Sequence, residues 1–344
     1  MHYLSPAVFL GKTFQLPFDV RILQRERKKL LAELELGGDD ALKLNGRSFT
    51  KNELIDYFEE LQREDIAAYH LAISKDPALL DFLQYAGIDE GARFKYAETY
   101  NDPGFISWIS PCFRSAFIQL TKDCFELTDA VSMRAILNNK LLMTADDTEQ
   151  SWLFIAGILE KNIALFDHYR GRGQKTSPPM MPVTEISAFI GHGYVEVIKQ
   201  LPDSRFARIK DSYAFNMQHP AIAVFNRDRR NRSLAIIWVE EALALAISPD
   251  IKKRIQAKLN ELLGLLRKQE KKRNLRAVWI IVVAISMGIS FFNSSNESSS
   301  SIVTPNTYMY PVQPDSTMGL PDSVIVTAKK KDTARHQKRR PLSP

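Results

Sequence analysis

Apolar residues along this chain recur mainly three and four positions apart, the period of helices that bury one face. Asp19–Leu36 carries Val20, Leu23, the Lys28–Leu31 run and Leu34 on a strongly charged segment, and Gly37-Gly38 closes it. Residues 42–49 alternate around Asn45-Gly46, the chemistry of a tight β-hairpin turn. Thr50-Lys51-Asn52-Glu53 is a capping box. It predicts a helix continuing to about Ser74, with Leu54, Tyr57, Phe58, Leu61, Ile66 and Tyr69 facing inward. Asp76-Pro77 marks the next boundary.

Residues 78–145 suggest shorter helices, with loops around 87–91 and 101–104. Thr148–Tyr169 is a stronger prediction, because Trp152, Ile155, Leu159, Ile163 and Phe166 share one face and Asp146 and Asp147 suit the positive helix N-terminus. The glycines and prolines of Arg170–Pro182 predict an exposed loop, and a further helix is expected over Thr184–Gln200. Arg227–Arg232 is a basic turn. Ser233–Ile247 and Ile251–Lys272 form a final helical pair around Ser248-Pro249-Asp250, with proline at a helix start. Leu234, Ile237, Trp238 and Leu245 line the first, and Ile255, Leu259, Leu262, Leu263 and Leu266 the second.

The pattern changes after residue 276. Ala277–Phe292 contains no charge, and at ~1.5 Å per residue it is about 24 Å long, somewhat short of a hydrocarbon core of roughly 30 Å. Leu275 and Asn293–Asn296 can extend it, and Trp279, Phe291 and Phe292 stand where aromatic rings favour the membrane interface. A transmembrane helix over 275–293 is the expectation. Lys258, Arg267, Lys268, Lys271, Lys272, Arg273 and Arg276 precede the span, and no Lys or Arg follows over Asn293–Val312. The positive-inside rule therefore places the N-terminal body in the cytoplasm, most naturally at a bacterial inner membrane. Met1–Phe18 lacks a basic segment followed by an apolar run, so no secretory leader is expected there. Residues 294–344 are rich in Ser, Pro and Thr and suggest a disordered extracytoplasmic tail. Within it Asp322–Ala328 has strand propensity and suits strand addition to a partner.

Charge sharpens this picture. The net charge of the 344-residue chain is +6, yet residues 1–250 hold 29 Lys/Arg against 34 Asp/Glu. The basic excess lies in the band before the span and in the tail. That favours anionic lipid as the partner of Arg267, Lys268, Lys271, Lys272, Arg273 and Arg276, and argues against nucleic acid. Two cysteines, Cys112 and Cys124, lie in apolar surroundings and suggest buried thiols rather than a disulfide framework.

Candidate chemistry is sparse. Gly171–Thr176 lacks phosphate-loop spacing, because Gln174 separates Gly173 from Lys175. The six histidines have no zinc-site spacing, so neither a metal nor another cofactor is expected. Gly191-His192-Gly193 with Asp167-His168 and His219 could supply a general base, and a thiol nucleophile would need a histidine brought close by the fold.

The resulting expectation is a mainly α-helical protein with at most one small β-hairpin near 42–49. Its regions are 1–75, a helical body over 76–232, a basic juxtamembrane pair over 233–274, the span at 275–293 and the tail at 294–344. The leading functional expectation is a binding or scaffolding module that holds a protein partner at the membrane. The alternatives are a membrane-tethered enzyme around His168, His192 and Arg170–Pro182, and a protein that transmits a signal through the span.

Overall fold

The computed structural model describes residues 3–10, 18–37, 40–44, 47–95, 98–167, 169 and 182–269. All lie in the first of two units, Met1–Val278; the second, Trp279–Pro344, lies outside the described residues. So do the expected span, the expected tail, residues 170–181, and Lys271, Lys272, Arg273 and Arg276 of the basic band. Among the described residues no helix is long and apolar enough to cross a membrane.

The described chain is mainly helical with one two-stranded sheet. It begins with the short helix α1 (Ala7–Leu10) and the amphipathic α2 (Val20–Gly37), which buries Leu23, Leu30 and Leu34. Strands β1 (Ala41–Leu44) and β2 (Arg47–Thr50) pair antiparallel, with Leu42 opposite Phe49 and Leu44 opposite Arg47. That register leaves two residues, Asn45 and Gly46, for the connection, as their turn chemistry requires. Thr50 then caps α3 (Lys51–Glu60): its hydroxyl accepts from the Glu53 amide at 3.3 Å, and the Glu53 carboxylate accepts from the Thr50 amide at 2.8 Å.

The helix expected to run to Ser74 is in fact two, α3 and α4 (Glu64–Ser74). Arg63 adopts an extended backbone between them and pairs with Asp65 at 2.7 Å. Glu64 and Asp65 then occupy the first turn of a new helix, where its dipole favours negative charge. Phe18, Leu23, Leu30, Leu54, Phe58, Leu61 and Ala67 form a small apolar cluster among these elements.

A larger cluster is organised on α6 (Pro103–Leu127), which follows α5 (Pro77–Tyr85) and a turn of 3-10 helix at Glu98–Asn101. The 25 residues of α6 run for about 38 Å. Asp102 caps its start, accepting from the Gly104 and Phe105 amides. Where shorter helices are expected, this one runs unbroken, with Pro111 inside it. The proline ring removes one backbone donor, but Phe105, Ile109, Phe113 and Phe117 recur every fourth residue on both sides of it and are fully buried. Burial of four such side chains, at about 1.5–3 kcal/mol each, outweighs one missing hydrogen bond.

Around α6 pack α7 (Ala130–Leu137) and α8 (Ala145–Asp167), the latter through Trp152, Ile155, Leu159 and Phe166. Trp152 meets Phe117 edge-on, at 5.6 Å between ring centres. The helix expected over Thr184–Gln200 divides at Gly191 into α9 (Val183–Ile190) and α10 (His192–Gln200). A Cβ at Gly191 would lie 2.6 Å from the Ser187 carbonyl, so this corner needs glycine. Gly193, on α10, has a similar need. A Cβ there would lie 2.9 Å from Cβ and Oγ1 of Thr128, which ends α6 in a left-handed conformation at φ 56°.

Helix α11 (Asp203–Arg227) is absent from the sequence expectation. Its buried side includes Lys210, Asn216 and Gln218 as well as Phe206, Tyr213, Met217 and Val224. Polar residues therefore interrupt the stripe that periodicity detects. Lys210 is accommodated by three acceptors: the Leu201 carbonyl (2.6 Å), the Asp203 carboxylate (2.6 Å) and the Lys199 carbonyl (3.2 Å). Helix α12 (Arg232–Leu245) buries Trp238 and Leu245 as expected, but Ile237 stands 47% exposed and Ile236 and Val239 are buried instead. A final helix, α13 (residues 249–269), buries Ile255, Leu259 and Leu262. The Asp211 carboxylate fixes the turn before it, accepting from the amides of Ile247 at 2.7 Å and Ser248 at 3.0 Å.

One buried carboxylate connects several of these elements. Asp76 is 1% exposed; it caps α5 through the Leu79 amide (3.2 Å) and also accepts from the Lys95 amide (2.5 Å) and the Tyr100 hydroxyl (2.8 Å). Asp76→Ala would leave these donors without their acceptor and should cost about 3 kcal/mol. Urea unfolding should show that loss, with Asp76→Asn retaining part of the stability; a loss below about 1 kcal/mol for the alanine variant would contradict the assigned role.

Candidate functional site

Helix α4 turns His70 inward, leaving it 3% exposed. Three aromatic rings from distant parts of the chain surround it: Tyr3, Tyr57 of α3 and Trp108 of α6, at centroid separations of 5.4, 6.1 and 4.9 Å. The Tyr3 hydroxyl is hydrogen-bonded to His70 Nδ1 at 2.9 Å. The Tyr57 hydroxyl donates to the Leu4 carbonyl at 3.1 Å and so ties the Tyr3 segment to α3.

Trp108 is held from behind. Tyr69 lies 5.6 Å from it and donates to the Asp102 carboxylate at 2.5 Å. A Cβ at Gly104 would come within 2.8 Å of that tyrosine hydroxyl, so glycine leaves room for the bond. The bond pushes the Tyr69 phenol up to about 12 and holds Asp102 below the usual carboxylate range.

Tyr3, Tyr57, His70 and Trp108 line a cleft of about 440 Å³, within the range of small-ligand sites. Leu4, Ser48, Phe49 and Cys112 complete its walls, and Glu53, Asp56 and Glu60 stand on its α3 side. The acidic residues are spaced i, i+3 and i+7, which places them on one helix face.

Burial makes the interior of the cleft electrically neutral. Desolvation pushes the His70 imidazole down to about 3, so it carries no charge at neutral pH. Burial likewise drives the Tyr3 and Tyr57 phenols far above their ordinary value, with the charge of Glu60 adding to the effect on Tyr57. Cys112 is half-buried in the wall of the cleft that His70 also lines, a setting that invites a nucleophile reading. An imidazole this weakly basic is a poor acceptor for a thiol proton, so the pair is badly matched for such chemistry.

The residues singled out by sequence fall elsewhere. Arg267 and Lys268 are exposed near the end of the described part of α13. His168 and residues 170–181, the core of the enzymatic alternative, lie outside the described residues. Cys124 is buried, and desolvation pushes its thiol up to about 12. His192 does meet carboxylates, one from a distant helix and one from its own. Its Nδ1 is 2.6 Å from Glu241 of α12 and 4.0 Å from Glu196 one turn along α10.

These three residues are the one His/Cys/Asp/Glu group among the described residues whose ligand atoms lie mutually close, within 4.8 Å. Such donors suit a divalent transition metal. Lys199, however, bridges both carboxylates, at 2.7 Å from Glu196 and 3.6 Å from Glu241. Its ammonium supplies the counter-charge, and its bond to Glu196 lowers that carboxyl group below the usual range. A metal would have to displace it.

His70 and its aromatic neighbours were not selected from the sequence. Tyr3, Tyr57 and Trp108 are scattered along the chain, and His70 sits between Ile66, Ala67 and Ile73 on an ordinary inward face. A histidine among apolar residues on such a face is the one available signal. Comparison with family models, with curated proteins and with solved structures finds no match to this chain.

The state of His70 makes stability depend on pH. An unfolded histidine takes up a proton below about pH 6.5, whereas the buried one stays neutral until pH approaches 3. The stabilisation from neutral His70 is therefore complete above pH 6.5 and is lost as pH falls from there toward 3. Between pH 6.5 and 5 this group should remove about 2 kcal/mol. His70→Asn should unfold with a visibly flatter pH dependence in urea titrations over that interval, and an unchanged slope would show that His70 is not the group responsible.

Proposed function

We propose that this chain is a single-pass membrane-anchored binding module, and that the Tyr3–Tyr57–His70–Trp108 cleft is where it holds its partner. The cleft carries the binding part of this reading. It offers enclosed aromatic surface, neutral buried polar groups and an acidic margin, without a matched acid and base. The uncharged run Ala277–Phe292 and its flanks support the anchor. Under this reading the body faces the cytoplasm of a bacterial cell, with Arg267, Lys268, Lys271, Lys272, Arg273 and Arg276 against anionic headgroups, each contributing about 1 kcal/mol near the surface. The tail, with its Asp322–Ala328 segment, stands on the opposite side.

Protease protection tests the topology. In sealed right-side-out vesicles a tag at Met1 should survive added protease and a tag at Pro344 should be removed. Equal fates for the two tags, or recovery of the chain in the soluble fraction after carbonate washing, would overturn the single span. Neutralising the six basic residues with glutamine should weaken the orientation signal, so that a measurable fraction of Pro344 tags becomes protected. If the basic band does not set orientation, that fraction stays at its original level.

A further inference from the structure

We propose that the cleft receives the guanidinium or ammonium group of an arginine or lysine side chain presented by a protein partner. The inference rests on the reading of the cleft as a binding site and adds the chemistry of its occupant.

Three observations carry it. The walls supply Tyr3, Tyr57 and Trp108, whose ring faces attract cations, with tryptophan the strongest. The margin supplies Glu53, Asp56 and Glu60, while among the described residues the lining contains no lysine or arginine and its histidine is uncharged. The third observation is how the carboxylates of this region are partnered. Away from the cleft, Glu59 pairs with Arg27 at 3.2 Å and Glu35 with Lys51 at 2.8 Å. At the cleft, Asp56 and Glu60 form no ion pair among the described residues. Two neighbouring carboxylates with no ion pair among the described residues, beside desolvated aromatic rings and with Arg63, the cation within electrostatic range of Glu60, already paired to Asp65, create a local negative potential that a further cation relieves. The planar guanidinium both stacks on rings and donates to two carboxylate oxygens at once, so arginine should be preferred to lysine.

The test uses the full chain in uncharged maltoside micelles and a fluorescein-labelled peptide of alternating arginine and glycine. A matching peptide with citrulline in place of arginine keeps the shape and removes the charge. Binding by anisotropy should be at least about tenfold tighter for the arginine peptide. The surface variant Asp56→Asn/Glu60→Gln should weaken it about tenfold. Trp108→Phe, which keeps a ring in the wall, should weaken it a few-fold. The variant Glu35→Gln/Glu59→Gln removes the same charge away from the cleft and should leave binding unchanged.

Equal weakening by the two double variants would mean diffuse attraction and overturn the inference. Equal binding of both peptides, lost in Trp108→Phe, would also overturn it, yet would leave the cleft as a site for a neutral ligand. Displacement of the peptide by tetramethylammonium at an equal concentration would identify a small amine as the occupant and overturn the protein source. Absence of any peptide binding up to millimolar concentration would count against both the inference and the reading beneath it.

Discussion

Phe105, Ile109, Phe113 and Phe117 form one continuous apolar stripe along α6, and most of the body is arranged to cover it. Fully burying side chains of this size contributes more than any polar contact in the fold. That term explains why α6 continues through Pro111 and why α5, α7 and α8 pack against it. Trp108 and Cys112 project from a neighbouring stripe of the same helix, offset by three residues from the buried Phe105 and Ile109. The wall of the cleft and the spine of the core are therefore two sides of one rigid rod. Displacing Trp108 requires repacking the largest apolar cluster, which gives the site a fixed shape without dedicated support from loops.

Polar groups inside the fold are handled in two ways. Lys210 and Asp76 are surrounded by hydrogen-bond partners supplied by backbone and side chains. His70, Tyr3 and Tyr57 are kept neutral by burial. Both arrangements avoid an uncompensated buried charge, which would cost several kcal/mol. Formal charge is left to the outer face of α3, where Asp56 and Glu60 meet water and the mouth of the cleft. The body thus separates a dry aromatic surface from the charges at its margin.

Local chemistry made several elements legible in the sequence. The Asn45-Gly46 hairpin register, the Thr50–Glu53 capping box and the inward faces of α2 and α8 follow from neighbours a few residues apart. Legibility failed where tertiary packing overrode local signals. The apolar stripe of α6 outweighed Pro111, and the buried polar groups of α11 hid its periodicity. Gly191 broke a helix that periodicity alone would have continued. The cleft was illegible for a different reason. Tyr3 and His70 are hydrogen-bonded across 67 positions, and no short-range pattern encodes such a meeting. His192 was visible as a candidate, but its partner Glu241 stands 49 positions away and entered only with the fold.

The contact between Thr128 and Gly193 has an evolutionary consequence. Thr128 closes α6 in a conformation that β-branched residues rarely adopt, and its side chain fills the space that Gly193 leaves open. Neither position is free to drift alone. A larger residue at 193 meets the threonine, and a larger residue at 128 meets α10. In descendants of a common ancestor the two should change in concert, with bulk gained on one helix only as it is given up on the other. Such reciprocal change can persist after overall identity has faded, so this pair is a mark by which distant kin of the chain could be recognised.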